Sequence, residues 1–340
     1  GLDAISVLDN FFTIGGHSLL AMRLFNMIEE IFKINVSLNC IITHPTIEKL
    51  SLIIDENKYE PSLLVPLKKT KSEKNIFCVH PIGGQISFYQ ELSKRIKSEC
   101  NIYAIQSSEV ASIDLKIDNI ESLARVYGEL IKETQPHGPY KLLGWSSGGL
   151  IALAIANYLE SEGNEVDYLC IVDPSSIPSD LDDQEKLFIA SVIVMLSSIV
   201  GRSLNYFERS ELIKLLKSNR INHKNFSDGD IFDILFEFVK EKIEKNISLE
   251  ISTNIKSQLH VTYKHLEFLS NFKPRLTNAK LHLCVAEDGL LKSSGYKLEN
   301  ELKNAFKNGL IYFDRIKGNH YDILEHPNVE LLALSIDSML

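Results

Sequence analysis

This sequence is short of what a membrane, nucleic-acid or metal protein needs. Its longest helix-like apolar stretch, Leu187 to Val200, falls short of the roughly 20 residues that cross a bilayer. That stretch lacks signal-peptide flanks, and no targeting segment is visible elsewhere. Basic residues are outnumbered, 36 Lys and Arg against 45 Asp and Glu, for a formal net charge of −9. That balance argues against nucleic-acid and polybasic membrane partners. The five cysteines, Cys40, Cys78, Cys100, Cys170 and Cys284, are an odd number without paired spacing, as expected of reduced thiols in a cytosolic protein. His260 and His265 stand five apart, which is not a metal-binding spacing on a helix, and the other histidines are scattered, so no metal site is expected. Gly83-Gly84 lacks the Gly-x-Gly-x-x-Gly of a dinucleotide site. There is no internal repeat or low-complexity segment. Residue 1 is glycine, and we expect the chain to be part of a longer polypeptide.

What is present is an ordinary globular composition, 44% hydrophobic and 24% charged over 340 residues, enough for one large domain and one small one. The first 55 or so residues read as helical, with Leu20, Leu24, Ile28 and Phe32 at helical spacing and Glu29 and Glu30 opposite. Residues 57–62 are polar with Pro61 and read as a linker between domains at 1–56 and 63–340. Beyond them, apolar runs alternate with helix-length segments. Asn75 to His80, Asn101 to Gln106, Tyr140 to Trp145, Tyr168 to Val172, Lys280 to Ala286 and Leu310 to Phe313 read as strands. Such alternation predicts an α/β fold, a parallel sheet covered by helices on both faces. Chemistry in such sheets gathers at the carboxyl ends of the strands.

Three strand ends carry suitable residues. Gly144-Trp145-Ser146-Ser147-Gly148 joins a strand to a helix, and a Gly-x-Ser-x-Gly turn presents its serine hydroxyl at a helix N-terminus, where negative charge is favoured. The glycines leave the strained turn unobstructed. Asp173 ends the next strand and His320 follows the last. A serine becomes a good nucleophile once an imidazole takes its proton and a carboxylate holds that imidazole. Asp288 is the alternative acid. We choose Asp173 because an apolar strand leads straight into it and Pro174 ends that strand, whereas Asp288 sits between Glu287 and Gly289 in a polar turn. His80 precedes a glycine-containing loop and reads as structural. Near the N-terminus, Ser18 follows Gly15-Gly16-His17 and opens an amphipathic helix. It is either that helix's N-cap or the attachment point of a phosphodiester held by free N–H groups.

Two resemblances extend this. Asp9 to Leu24, with His44-Pro45-Thr46-Ile47, resembles the peptidyl carrier domain of non-ribosomal peptide synthetases. The resemblance implies 4'-phosphopantetheine on Ser18 and a four-helix bundle whose first helix is missing here. Val65-Pro66-Leu67, the loop from His80 to Gly84, Gly144 to Gly149, Asp173 and Gly318 to His320 resemble a type I thioesterase of such synthetases. That implies an α/β-hydrolase fold, Ser146, Asp173 and His320 as catalytic triad, and the backbone N–H groups of Ile82 and Ser147 as oxyanion hole. It also implies that the helical insertion at about 175–278 is a lid over the substrate channel; the alternative is a packing role alone. Together the two imply a terminal release module that transfers a peptidyl thioester to Ser146 and frees it by hydrolysis or macrocyclisation. Its implied partners are upstream condensation and adenylation domains, a phosphopantetheinyl transferase and the peptidyl thioester, in the cytoplasm. A free-standing lipase or esterase, or a non-catalytic carrier and docking module, are the alternatives.

Overall fold

The computed structural model describes residues 4–16, 18–34, 40–56, 61–174, 181–200, 204–219, 221, 228–242, 249–270, 272–273, 275, 277–289 and 311–340. His17, residues 57–60 of the expected linker, Leu310 and parts of the expected lid lie outside them.

The N-terminal segment forms α1 (Ser18–Phe32), α2 (Cys40–Thr43) and α3 (Ile47–Glu56). Ala21, Phe25 and Ile28 of α1 pack with Cys40, Ile41 and Leu50 into a small core of their own. The buried face differs from the expected one, because Leu20 and Phe32 are exposed and Ala21 and Phe25 take their place inside. The helix is apolar around much of its circumference, so spacing alone does not choose the stripe that packs. Ile42 packs against both this small core and the larger domain.

Strands Leu64–Lys68 (β1), Asn75–Val79 (β2), Asn101–Ile105 (β3), Tyr140–Trp145 (β4), Val166–Val172 (β5), Lys280–Asp288 (β6) and Ile311–Asn319 (β7) form one sheet. Its order is β1-β3-β2-β4-β5-β6-β7. β1 runs antiparallel to β3, and the other neighbours are parallel. In β2, Phe77 and Val79 enter the core on one face while Ile76 and Cys78 enter the core on the other. That two-sided burial is why the strand reads as an unbroken apolar run. Helices α4 (Tyr89–Arg95) and α12 (Asn328–Asp337) cover one face, and α6 (Ile120–Thr134) and α7 (Ser147–Ser161) the other. Between them runs the short α5 (Ser108–Ala111). An Asn119–Ser122 capping box starts α6.

Two strands depart from expectation. β1 is five residues long with Pro66 at its centre, too short and too broken to stand out as a strand in sequence. β7 continues past Phe313 to Asn319, pairing with β6 through Asp314, Arg315 and Asn319. As an edge strand it can carry polar residues that look like loop in sequence. Its extra length brings the chain to His320 directly from the sheet.

The insertion contributes α8 (Leu181–Val200), α9 (Tyr206–Ser218), α10 (Asp228–Lys242) and α11 (Leu249–Ser270). α8 and α10 pack on α11, α11 reaches α7, and α1 lies against α8. Among the described residues no helix is long and apolar enough to cross a membrane.

Candidate functional site

Ser146 joins β4 to α7 with φ 56° and ψ −131°, a left-handed region that non-glycine residues rarely occupy. Its neighbours have no room for side chains. A Cβ on Gly144 would stand 2.2 Å from the Gly148 carbonyl carbon, and one on Gly148 would stand 2.5 Å from the Val79 oxygen. The turn is held from three sides. Ser146 N–H donates to Val172 O at 2.9 Å, Trp145 N–H donates to Tyr89 Oη at 2.9 Å, and Tyr89 donates onward to Val79 O at 2.6 Å.

Asp173, at the end of β5, also has positive φ, 38°. Its N–H donates to Cys284 O at 2.7 Å. Its Oδ1 accepts from the Ala286 N–H at 3.0 Å and its Oδ2 from His320 Nδ1 at 2.7 Å. Both side chains of the Asp173–His320 pair are buried. Asp288, the alternative acid, is the exposed last residue of β6 and pairs with Asn319 in the ladder. It is Asp173, and not Asp288, that is paired with His320. With Nδ1–H turned to Asp173, Nε2 of His320 keeps its lone pair, and this buried nitrogen has no partner among the described residues. The Trp145 and Tyr321 rings flank the imidazole at 5.3 and 5.2 Å. From α9 of the insertion, the Arg209 guanidinium lies 4.9 Å from the centre of the Tyr321 ring.

Sequence reasoning missed Gly289 and the Ala286 amide. A Cβ on Gly289 would stand 2.2 Å from Asp173 Oδ1, so the turn after β6 closes on the carboxylate. The only signal was a glycine directly after the apolar strand and its two acids.

The loop after β2 brings Ile82 beside Ser147. The Ile82 N–H donates to Ser147 Oγ at 2.6 Å. The Ser147 N–H, at the first position of α7, has no helical carbonyl to bond. His80 is engaged at both ring nitrogens, Nδ1 with Pro81 O and Nε2 with Tyr127 Oη, each at 2.7 Å. It stacks on His265 of α11 with 4.9 Å between centroids, and burial pushes its pKa down to about 4. That is the environment of a neutral structural histidine.

Cys170, His282 and Cys284 bring three metal-type ligand atoms within 4.8 Å of one another. The His282 nitrogens are already bonded to Tyr168 Oη at 2.7 Å and Asp314 Oδ2 at 2.9 Å, and burial raises the Cys284 pKa, keeping that thiol protonated. The group is a satisfied hydrogen-bond network.

Ser18 is the first residue of α1. The preceding turn is tight: the Gly16 N–H donates to Phe11 O at 2.8 Å, and a Cβ on Gly16 would stand 2.4 Å from that oxygen. The first turn of α1 holds no acidic residue. Free helical N–H groups without a competing carboxylate suit a phosphodiester, so this end of the helix fits phosphopantetheine.

Comparison with known proteins identifies two families along the chain. The thioesterase domain family matches residues 74–339, and the phosphopantetheine attachment site family matches residues 1–54. A dimodular nonribosomal peptide synthase of Bacillus subtilis (strain 168) is 33% identical over 174 residues, covering 51% of this chain and 7% of that protein. The vanchrobactin synthetase VabF of Vibrio anguillarum is 34% identical over 172 residues, covering 48% and 6%. The chain thus spans less than a tenth of these relatives' length. The crystal structure of a holo four-domain nonribosomal peptide synthetase bound to AMP and glycine superposes with a TM-score of 0.66 at 25% identity, over 98% of this chain and 24% of that one. The Vlm2 thioesterase domain superposes at 0.55 with 18% identity, over 81% and 96%, a likeness of fold. The chain belongs to the thioesterase domain family and carries, ahead of that domain, a phosphopantetheine attachment domain.

Proposed function

We propose that this chain is the release module of a peptide synthetase, with Ser146 as nucleophile, His320 as base, Asp173 as the acid that holds it, and Ser18 as the phosphopantetheine attachment point. The buried Asp173–His320 pair behind the strained Ser146 turn carries the reading. The phosphopantetheine arm supplies a thiol on which the acyl group arrives as a thioester. Ser146 Oγ attacks the thioester carbonyl carbon while His320 Nε2 takes the hydroxyl proton. Asp173 stabilises the imidazolium. Negative charge on the carbonyl oxygen is met by donors contributed by Ile82 and Ser147. His320 would then return its proton to the departing sulfur as the C–S bond breaks, leaving an ester on Ser146. Water or a nucleophile within the acyl chain, deprotonated by His320, attacks that ester and frees an acid or a ring.

The upstream partners are the condensation and adenylation domains of the same assembly line and a phosphopantetheinyl transferase. The buried free thiols favour a reducing cytosol. The insertion acts as a lid: its Arg209 and His265 reach Tyr321 and His80, one beside His320 and the other before the Ile82 loop. A closed lid keeps bulk water from the acyl-enzyme.

A fluorophosphonate probe tests the assignment. Ser146 should be labelled stoichiometrically, and Ser146→Ala should lose both labelling and product release, by on the order of a million-fold in turnover. An inert hydrolase domain predicts no labelling of the unsubstituted chain. A free-standing esterase predicts that Ser18→Ala is without effect on release of the natural product.

A further inference from the structure

One of the two expected oxyanion donors is already engaged. Ile82 has one N–H, and it is already committed, 2.6 Å from the Ser147 hydroxyl oxygen. An amide hydrogen directed at one acceptor at so short a distance gives a second only the weaker share of a three-centre bond. Most of what Ile82 contributes to an oxyanion therefore passes through the Ser147 side chain, or requires that side chain to leave.

The hydroxyl has the capacity to pass it on. A serine Oγ carries two acceptor lone pairs and one donor proton. In Ser147 one lone pair is used by Ile82, whereas the proton has no acceptor among the described residues, although the residue is completely buried, at 0% exposure. A buried donor without a partner is costly. This one belongs to the residue next to the nucleophile, at the first position of α7, where the backbone N–H is also unspent. Residue 147 thus offers two unspent protons beside Ser146. The Ile82 bond also prepares the hydroxyl, since an O–H that accepts a hydrogen bond becomes a stronger donor.

We propose that the Ser147 hydroxyl is itself an oxyanion donor, acting in series with the Ile82 amide: Ile82 N–H donates to Ser147 Oγ, and Ser147 Oγ–H donates to the developing oxyanion beside the Ser147 N–H. This rests on Ser146 being the nucleophile. It makes the side chain at position 147 a catalytic group in its own right, distinct from the backbone N–H that any residue there would provide.

The test compares the full chain with Ser147→Ala and Ser147→Gly, both of which keep the backbone N–H. Two rates are read: phosphonylation of Ser146 by an alkyl fluorophosphonate, whose tetrahedral adduct places an anionic oxygen in the hole, and turnover of a p-nitrophenyl ester, each expressed per titratable Ser146. Loss of an oxyanion donor lowers both the phosphonylation rate constant and kcat, by about 10²-fold, with KM unchanged. The glycine variant repeats the measurement without a β-carbon. Variants that react as fast as the unsubstituted chain, or faster, would show that the hydroxyl only covers Ile82 and is displaced by substrate, which overturns the proposal. If the unsubstituted chain itself fails to react, the nucleophile assignment fails, and the proposal with it; that result is told apart because no variant then differs from its parent.

Discussion

At the scale of single residues, Asp173, the acid of the proposed triad, makes the sharpest case. An asparagine at 173 can offer its own N–H to His320 Nδ1, which leaves the proton on Nε2, the nitrogen proposed to accept from Ser146. Asp173→Asn is therefore expected to fold normally and to lose about 10⁴ in kcat, while Asp288→Asn keeps near-normal activity. Steady-state kinetics on the two variants decide between them, and a severe loss in Asp288→Asn would move the acid to the other strand. Gly289→Ala belongs with this pair. The Cβ would press on Asp173 Oδ1, and an ångström of displacement at such a site costs on the order of 10²-fold. Ser146, Asp173 and His320 were legible in the sequence because each stands where an apolar run stops at a turn. Gly289, the Ala286 amide and the Ser147–Ile82 bond were not, because each depends on a loop that arrives from a different part of the chain.

At the scale of elements, the contact between α11 and the loop after β2 sets a pH dependence. His80 and His265 are stacked and buried. Burial lowers both pKa values, and the neighbouring His80 lowers that of His265 further. In the unfolded chain each titrates near 6.5. As pH falls below that value the unfolded state takes up protons that the folded state refuses, so stability is lost on acidification, until the folded pKa of about 4 is reached for His80. The slope is about 1.4 kcal/mol per pH unit for each histidine. Glu109, which faces this pair and is salt-bridged to Lys264, has its carboxyl held at about 2, because the Lys264 ammonium outweighs the upward push of burial. Its contribution is lost only at lower pH. Replacing His265 by leucine should flatten the acid limb of urea-unfolding stability between pH 6.5 and 4.5; superimposable limbs would remove the stacked pair from the account. That the insertion is helical was expected from the resemblance. The stacking of His265 on His80 was not, since a lone histidine on an apolar helix face is no different in sequence from any core histidine. β7 and the packed face of α1 escaped for related reasons, the one because edge strands tolerate charge, the other because too many of its residues are apolar.

At the scale of the whole molecule, alternating strands and helices made the parallel sheet legible, and the order Ser, Asp, His along the chain pointed to the edge proposed as catalytic. The placement of β1 beyond β3 depends on pairings that leave no local trace. What the chain adds to an isolated hydrolase is that Ser18 and Ser146 are covalently one molecule. Phosphopantetheinyl transferase and coenzyme A should add the arm's mass to the chain and not to Ser18→Ala, read by intact mass. Tethering two partners by a short connection gives effective concentrations on the order of millimolar. An acyl group loaded at Ser18 should then be released through Ser146 of the same chain at a rate independent of protein concentration. A mixture of loaded Ser146→Ala with Ser18→Ala supplies the same two groups on separate molecules. At micromolar concentrations it should release product about 10³-fold more slowly, and the rate should rise in proportion to the Ser18→Ala chain. Equal rates in the two experiments would mean that the attachment domain serves other copies as readily as its own, and the case for release within one chain would be lost.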